Sequence, residues 1–185
     1  MLTREESFKL LKEHVHDENL IKHMLATEAI MRALAKKFNE DEDKWGIAGL
    51  LHDIDYEQTK DNPELHSKIG AETLKNLGFE EDIVHAVLAH NERHGVERIS
   101  LLDKALWVSD PITGFIIAVA LVRPDKKLAS VELSSMKKKF KEKSFAAGAD
   151  REQIKACENE LGISLDEFFI LSLEALKGIS VDLGL

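Results

Sequence analysis

Apolar residues recur at three- and four-residue intervals along almost the whole chain, the signature of amphipathic helices rather than strands. Thr3 with Glu6 reads as a capping box ahead of Phe8, Leu10 and Leu11. A second helix is expected from about Asn19 to Phe38, with Leu20, Met24, Thr27, Met31, Leu34 and Phe38 at helical spacing. A third spans Trp45 to His52. Asn62-Pro63 predicts a cap and a first-turn proline for a fourth that stops at Gly78. A fifth covers about Glu81 to His90. Ser100 opens a sixth, which Pro111 is expected to kink or end. Beyond Pro124, helices are expected at about 134–143, 150–161 and 164–177, with Gly162 as a stop and Ser164/Glu167 as a second capping box. No run alternates convincingly at strand period. The expectation is an all-α, single-domain helical bundle over residues 1–185.

Composition narrows the function classes. With 185 residues, 44% of them hydrophobic and 32% charged, the chain can bury one core and keep a charged surface. No uninterrupted apolar run reaches membrane-spanning length, and the N-terminus shows no secretory signal, so no membrane partner is expected. One cysteine, Cys157, forbids an internal disulfide, and a cytoplasmic location is expected. A net charge of −9 argues against general nucleic-acid binding, which depends on phosphate neutralisation. The basic run Lys137–Lys143 reads as a solvated helix face.

The candidate chemistry centres on His52-Asp53, at the polar end of the apolar stretch Trp45–Leu51. A buried imidazole beside a carboxylate is costly unless something satisfies both, and a divalent metal does so. Helical phase sorts the other histidines. His23 lies one turn from Leu20 and Thr27, on or beside the buried stripe. A core histidine bonded to a carbonyl is the alternative there. His90 is in line with Ile83 and Val87, whereas His85 points nearly the opposite way, toward solvent. His66 is placed in the first turn of the fourth helix, four residues before Gly70, where a missing side chain allows close approach. His14 and His16 are expected to be exposed. His90 and His94 are four apart, but a zincin needs Glu directly after the first His and Asn91 stands there. His94 is instead placed at a pocket mouth with Arg93. Asp110 ends an apolar run, with Asp103 as its rival.

The ordered set His23, His52-Asp53 and Asp110 on a helical chain resembles the HD-domain superfamily of metal-dependent phosphohydrolases, over about residues 19–114. The phrases Leu50-Leu51-His52-Asp53-Ile54 and His66-Ser67-Lys68-Ile69-Gly70-Ala71 look like it too. The resemblance implies that His23, His52, Asp53 and Asp110 hold one metal, with His66 and His90 adding a second position bridged by Asp53. One or two divalent transition-metal ions (Mn, Fe, Co, Ni or Zn) are expected as cofactor. The implied activity is hydrolysis of a phosphomonoester or phosphodiester of a small metabolite, a nucleotide by preference, through metal-activated water. Asp53, Asp55 and Glu57 are the catalytic candidates. Lys68, Arg93 and His94 are the substrate-binding candidates, with Lys60 and Arg98 also considered for phosphate contact. The alternatives are a di-iron oxygenase of the same superfamily, favoured by the extra histidines, and a non-enzymatic metal- or nucleotide-binding module. A homo-oligomer is left open by the apolar Phe115–Ile117 segment. The C-terminal helical extension, about 125–185, lies outside the resemblance and carries no functional signal.

Overall fold

The computed structural model describes residues 2–185, and no strand occurs among them. Helix α1 (Arg4–His14) starts with the Thr3/Glu6 capping box fully formed. Helices α2 (Glu18–Phe38), α3 (Glu42–Leu51), α6 (Glu81–Ala89) and α7 (Leu101–Leu121) make the central bundle: α2 packs on α3 and α7, and α6 packs on the same two. The short α4 (Tyr56–Thr59) and α5 (Lys68–Asn76) lie between α3 and α6. After α7 come α8 (Leu133–Lys141), α9 (Arg151–Lys155), α10 (Cys157–Glu160), α11 (Leu165–Gly178) and α12 (Ser180–Leu183). These extra helices fold back: α11 and α12 lie on α2, while α9 and α10 lie on α7. Buried apolar side chains from Leu11 to Leu183 form one cluster, in which Phe115, Phe140 and Phe169 tie α7, α8 and α11 together with ring centroids 5.1–5.8 Å apart.

The close packing of α3 on the α2 backbone depends on Gly49. A Cβ there would meet the Thr27 carbonyl carbon, the Glu28 nitrogen and Met31 Cγ, each at 3.0 Å, so α3 sits almost on the backbone of α2. This brings His23 on α2 and His52 at the end of α3 to the same end of the bundle.

Pro111 does not end α7, which runs on to Leu121, so of the two expected outcomes an end is ruled out. A proline inside a helix removes the N–H that would serve the carbonyl four residues back, here Trp107. Gln153 Nε2 donates to that oxygen at 2.7 Å, so the C-terminal extension satisfies the group that Pro111 leaves open. Helix α7 is also long and apolar enough to cross a membrane by length and composition, with a mean hydropathy of 1.4 over its best window. In the fold 61% of that window is buried, and the helix carries Asp103, Lys104 and Asp110.

Other boundaries differ from the sequence reading. Asn62-Pro63 lies in a run of turns, with Leu65 N donating to Asn62 O, and α5 begins only at Lys68. Ser67 takes a left-handed φ of 65° immediately before it, so the chain swings inward and His66 belongs to the turn. The expected 150–161 helix divides at Ala156. At Ser164 only half of the capping box forms, because the Glu167 carboxylate pairs with Lys37 of α2.

Gly49→Ala is expected to cost about 1–3 kcal/mol, because two of the three atoms it meets are backbone and cannot rotate aside; urea unfolding of the variant measures this.

Candidate metal centre

Five of the six expected ligands come from four helices and their ends: His23 from α2, His52 and Asp53 from the end of α3, His90 from the end of α6, and Asp110 from α7. The sixth, His66, comes from the turn before α5. All six converge. Asp53 Oδ2 lies 3.7 Å from His23 Nε2 and 3.5 Å from His52 Nε2. Its other oxygen, Oδ1, lies 3.3 Å from both His66 Nε2 and His90 Nε2. Asp110 Oδ1 stands 3.2 Å from His23 Nε2 and 3.9 Å from His52 Nε2. One carboxylate thus faces two donor sets, one on each oxygen.

Each imidazole is aimed by its second nitrogen. His52 and His90 occupy equivalent places, just past the last residue of their helices, and each donates Nδ1–H to a carbonyl three residues back: Gly49 at 2.8 Å and Val87 at 2.6 Å. Those carbonyls are among the groups a helix end leaves unpaired. His23 Nδ1 donates to Thr113 Oγ1 at 2.9 Å, since that hydroxyl already donates to the Asp110 carbonyl. His66 Nδ1 donates to Asp55 Oδ1 at 3.0 Å. Every Nδ1 being occupied, the four Nε2 atoms turn inward as the donors a metal would use, and those of His23 and His52 approach to 3.2 Å. Facing ring nitrogens beside two carboxylates, at the negative C-terminal ends of α3 and α6, suit a cation. The imidazole and carboxylate donors fit a divalent transition metal.

The same arrangement moves the protonation equilibria. Burial pushes His52 down to about 4, so it is neutral. Burial works against charge on His66 too, but hydrogen bonds to Asp53 and Asp55 outweigh it and raise the group to about 10. For His23, burial is likewise outweighed by Asp110 and Asp53, and the pKa rises. Burial alone would raise Asp53, yet the facing imidazoles of His52, His66 and His90 hold it well below the carboxylate range. Asp110 is lowered against burial by His23.

The other candidates fall elsewhere. Asp55 is buried, with Oδ1 on His66 and Oδ2 accepting from Gly70 N at 2.8 Å; a Cβ on Gly70 would stand 3.3 Å from the Asp55 carboxyl carbon. The close approach expected at Gly70 therefore holds Asp55, which orients a ligand candidate and has no oxygen left for base chemistry. Glu57 turns away: its Oε1 accepts from the backbone N–H groups of His16, at 3.0 Å, and Asp17, fixing the loop before α2. Lys60 and Lys68 are exposed and line neither cavity at the centre. His94 sits in a short 3-10 turn rather than one turn after His90 on a continuous helix, and its Nε2 donates to the His66 carbonyl at 2.6 Å. Arg98 stacks on Trp107, 3.7 Å from the ring centroid. His85 is not turned to solvent: its Nδ1 donates to Asp103 Oδ2 at 3.0 Å, and that oxygen also caps the start of α7. Asp103 is thereby removed as a rival ligand. His14 and His16 are exposed, as expected.

Two cavities flank the centre. One of about 430 Å³ is polar, bordered by His66, His90, Asn91, Arg93, Trp107 and Gln153. The other, about 400 Å³, opens at His23 and Asp110. The extension, which gave no functional signal in the sequence, contributes Gln153 to the first and Ala146, Gly148 and Ala149 to the second. Thr113, Asn91, Trp107 and Gln153 had no recognisable sequence signal.

These features define an all-helical protein with a His/Asp centre assembled from its core helices and their ends. The model of the HD domain matches residues 20–114, and the chain belongs to that family. It is 32% identical over 97 residues to a protein named Ribonuclease Y from Oleidesulfovibrio alaskensis, covering 52% of this chain and 18% of that protein. Proteins of the same name from Sulfurovum sp. and Thermotoga petrophila are each 28% identical, covering 89% and 78% of this chain and 32% and 29% of themselves. The chain therefore spans a third or less of the length of these relatives. No solved structure matches the chain.

Two outcomes follow for metal uptake. Asp55→Asn keeps an acceptor for Gly70 but no longer anchors His66 as an anion, and is expected to weaken metal affinity about 10–100-fold, as read by competition with a chelating dye. In the metal-free chain His66, at about 10, carries a proton at pH 7 that a metal must expel. Calorimetry in buffers of different ionisation enthalpy is expected to show at least one proton released per chain, with apparent affinity falling about tenfold per unit as pH drops below that value. Uptake without proton release would contradict this assignment.

Proposed function

We propose that the chain is a metal-dependent phosphohydrolase that holds two divalent ions and hydrolyses a phosphoester of a small molecule. The observation that carries this reading is Asp53: its two oxygens face separate donor sets, His23, His52 and Asp110 on one side and His66 and His90 on the other. Bound divalent ions would polarise phosphoryl oxygens and bring a water's pKa toward neutrality. The residues set up the rest. Asp53 and Asp110 supply two negative charges, fewer than two such ions carry, which leaves the centre attractive to an anion. Thr113, Gly49, Val87 and Asp55 fix the imidazole orientations before any substrate arrives. Asp55 and Glu57 are both engaged elsewhere, so of the three catalytic candidates only Asp53 remains at the centre. Arg93, on the rim of the polar cavity with only an exposed pair to Glu64 at 3.6 Å, is the cation available to a phosphoryl oxygen.

A second reading, cleavage of an RNA phosphodiester, is favoured by the name that the relatives carry. The net charge of −9 weighs against a polyanionic substrate.

The test is turnover by the metal-loaded chain on phosphomonoesters, nucleotides and short RNA. Phosphate release from a small phosphoester is expected, reduced about a thousandfold or more in Asp53→Ala, with helical circular dichroism retained. Glu57→Gln is expected to stay within about threefold, since it lies away from the reacting group. Cleavage of RNA alone would select the second reading; no turnover with metal bound would contradict both.

A further inference from the structure

We infer that residues 146–149 of the C-terminal extension form one wall of a subsite for the organic group of the phosphoester, an inference that rests on the phosphohydrolase reading above. The 400 Å³ cavity starts at His23 and Asp110, at one end of the centre. Its other walls are Pro111, Gly114 and Ala118 of α7, and Ala146, Gly148 and Ala149 of the extension. That volume lies in the range of small-molecule sites, roughly 300–1,000 Å³. Apart from His23 and Asp110 no charged side chain lines it. The one hydroxyl, on Thr113, is already engaged with the Asp110 carbonyl and His23. Sugar hydroxyls or a second phosphate placed there would lose water without gaining side-chain partners, which is costly. A compact, uncharged, mainly apolar ester group, alkyl or aryl, suits these walls.

The wall is held in place. Arg151 Nη1 donates to the carbonyls of Ala146 and Ala149, both at 2.6 Å, and Nη2 donates to that of Phe145. The guanidinium carbon lies 5.4 and 5.7 Å from the ring centroids of Phe115 and Phe140. Ala146 has a φ of 44°, a conformation that a residue with a Cβ keeps only where its surroundings impose it. Two residues beyond Arg151, Gln153 ties the same segment to the Trp107 carbonyl. Arg151 and Gln153 are positioning residues: they fix the small side chains that shape the cavity.

Gly114 and Gly148 provide the test. A Cβ on either meets nothing within 4 Å, and neither has a positive φ. Both glycines are exposed at the cavity wall, so a leucine at either place begins in open space, and at Gly114 it also favours the helix. The metal-loaded full chain is titrated calorimetrically with methylphosphonate and phenylphosphonate, whose P–C bonds are not hydrolysed. The native chain is expected to bind phenylphosphonate about tenfold or more tightly than methylphosphonate. Gly114→Leu and Gly148→Leu are expected to abolish that preference while leaving methylphosphonate affinity, metal content and thermal midpoint unchanged or improved. Equal affinity for the two probes in the native chain, or a preference that survives both substitutions, overturns the subsite while leaving phosphoester turnover intact. Absence of binding by either phosphonate together with absence of turnover overturns the phosphohydrolase reading and the subsite with it.

Discussion

The centre is organised around a buried carboxylate that four imidazoles surround. Asp53 is 7% exposed, and an ionised carboxylate so placed is tolerable only if its surroundings repay the loss of water. The repayment comes from His23, His52, His66 and His90, which arrive from α2, the ends of α3 and α6, and the turn before α5. To deliver them, α2 and α3 must touch at Gly49, α3 and α6 must end at the same level, and the chain after α4 must turn inward through Ser67. The helix ends contribute directly: the last-turn carbonyls of α3 and α6 accept from His52 and His90, so terminating each helix and aiming its ligand candidate are one act. Without a cation, the neighbouring carboxylates hold a proton on His66 and raise the pKa of His23, whose Nε2 stands 3.2 Å from that of His52.

The C-terminal extension joins this centre through a backbone defect. Pro111 follows Asp110 and strips the Trp107 carbonyl of its helical partner, and Gln153 supplies the replacement. The same segment presents Ala146, Gly148 and Ala149 to the cavity at His23 and Asp110, where small side chains leave room beside the centre. Helices outside the family match at residues 20–114 thus reach its chemistry.

The helices were legible where period and caps agree, as at Thr3/Glu6 and along α2. They were misread where tertiary partners override local signals: Pro111 inside α7, Pro63 in a turn, Glu167 drawn to Lys37. His23, His90 and His52-Asp53 were legible because the first two lie in phase with apolar neighbours and the pair sits at the end of an apolar helix, whereas His66 and Asp110 joined the set through the family resemblance. Proximity in sequence misled at Glu57, only four residues from Asp53, because α4 turns its carboxylate toward His16 and Asp17. Helical phase misled at His85, whose outward face on α6 meets Asp103 of α7. Asn91, Thr113 and Gln153 left no pattern, since each reaches the centre through a contact to a backbone or ring atom distant in the chain.

The most direct measurement of the central claim is the stoichiometry and magnetic coupling of Mn(II) bound to the purified chain, by elemental analysis and electron paramagnetic resonance. A centre bridged by Asp53 predicts two equivalents per chain with the spectrum of a coupled pair, reduced to one uncoupled ion in His66→Ala. A single isolated ion in the native chain, or two ions without coupling, would contradict the shared carboxylate.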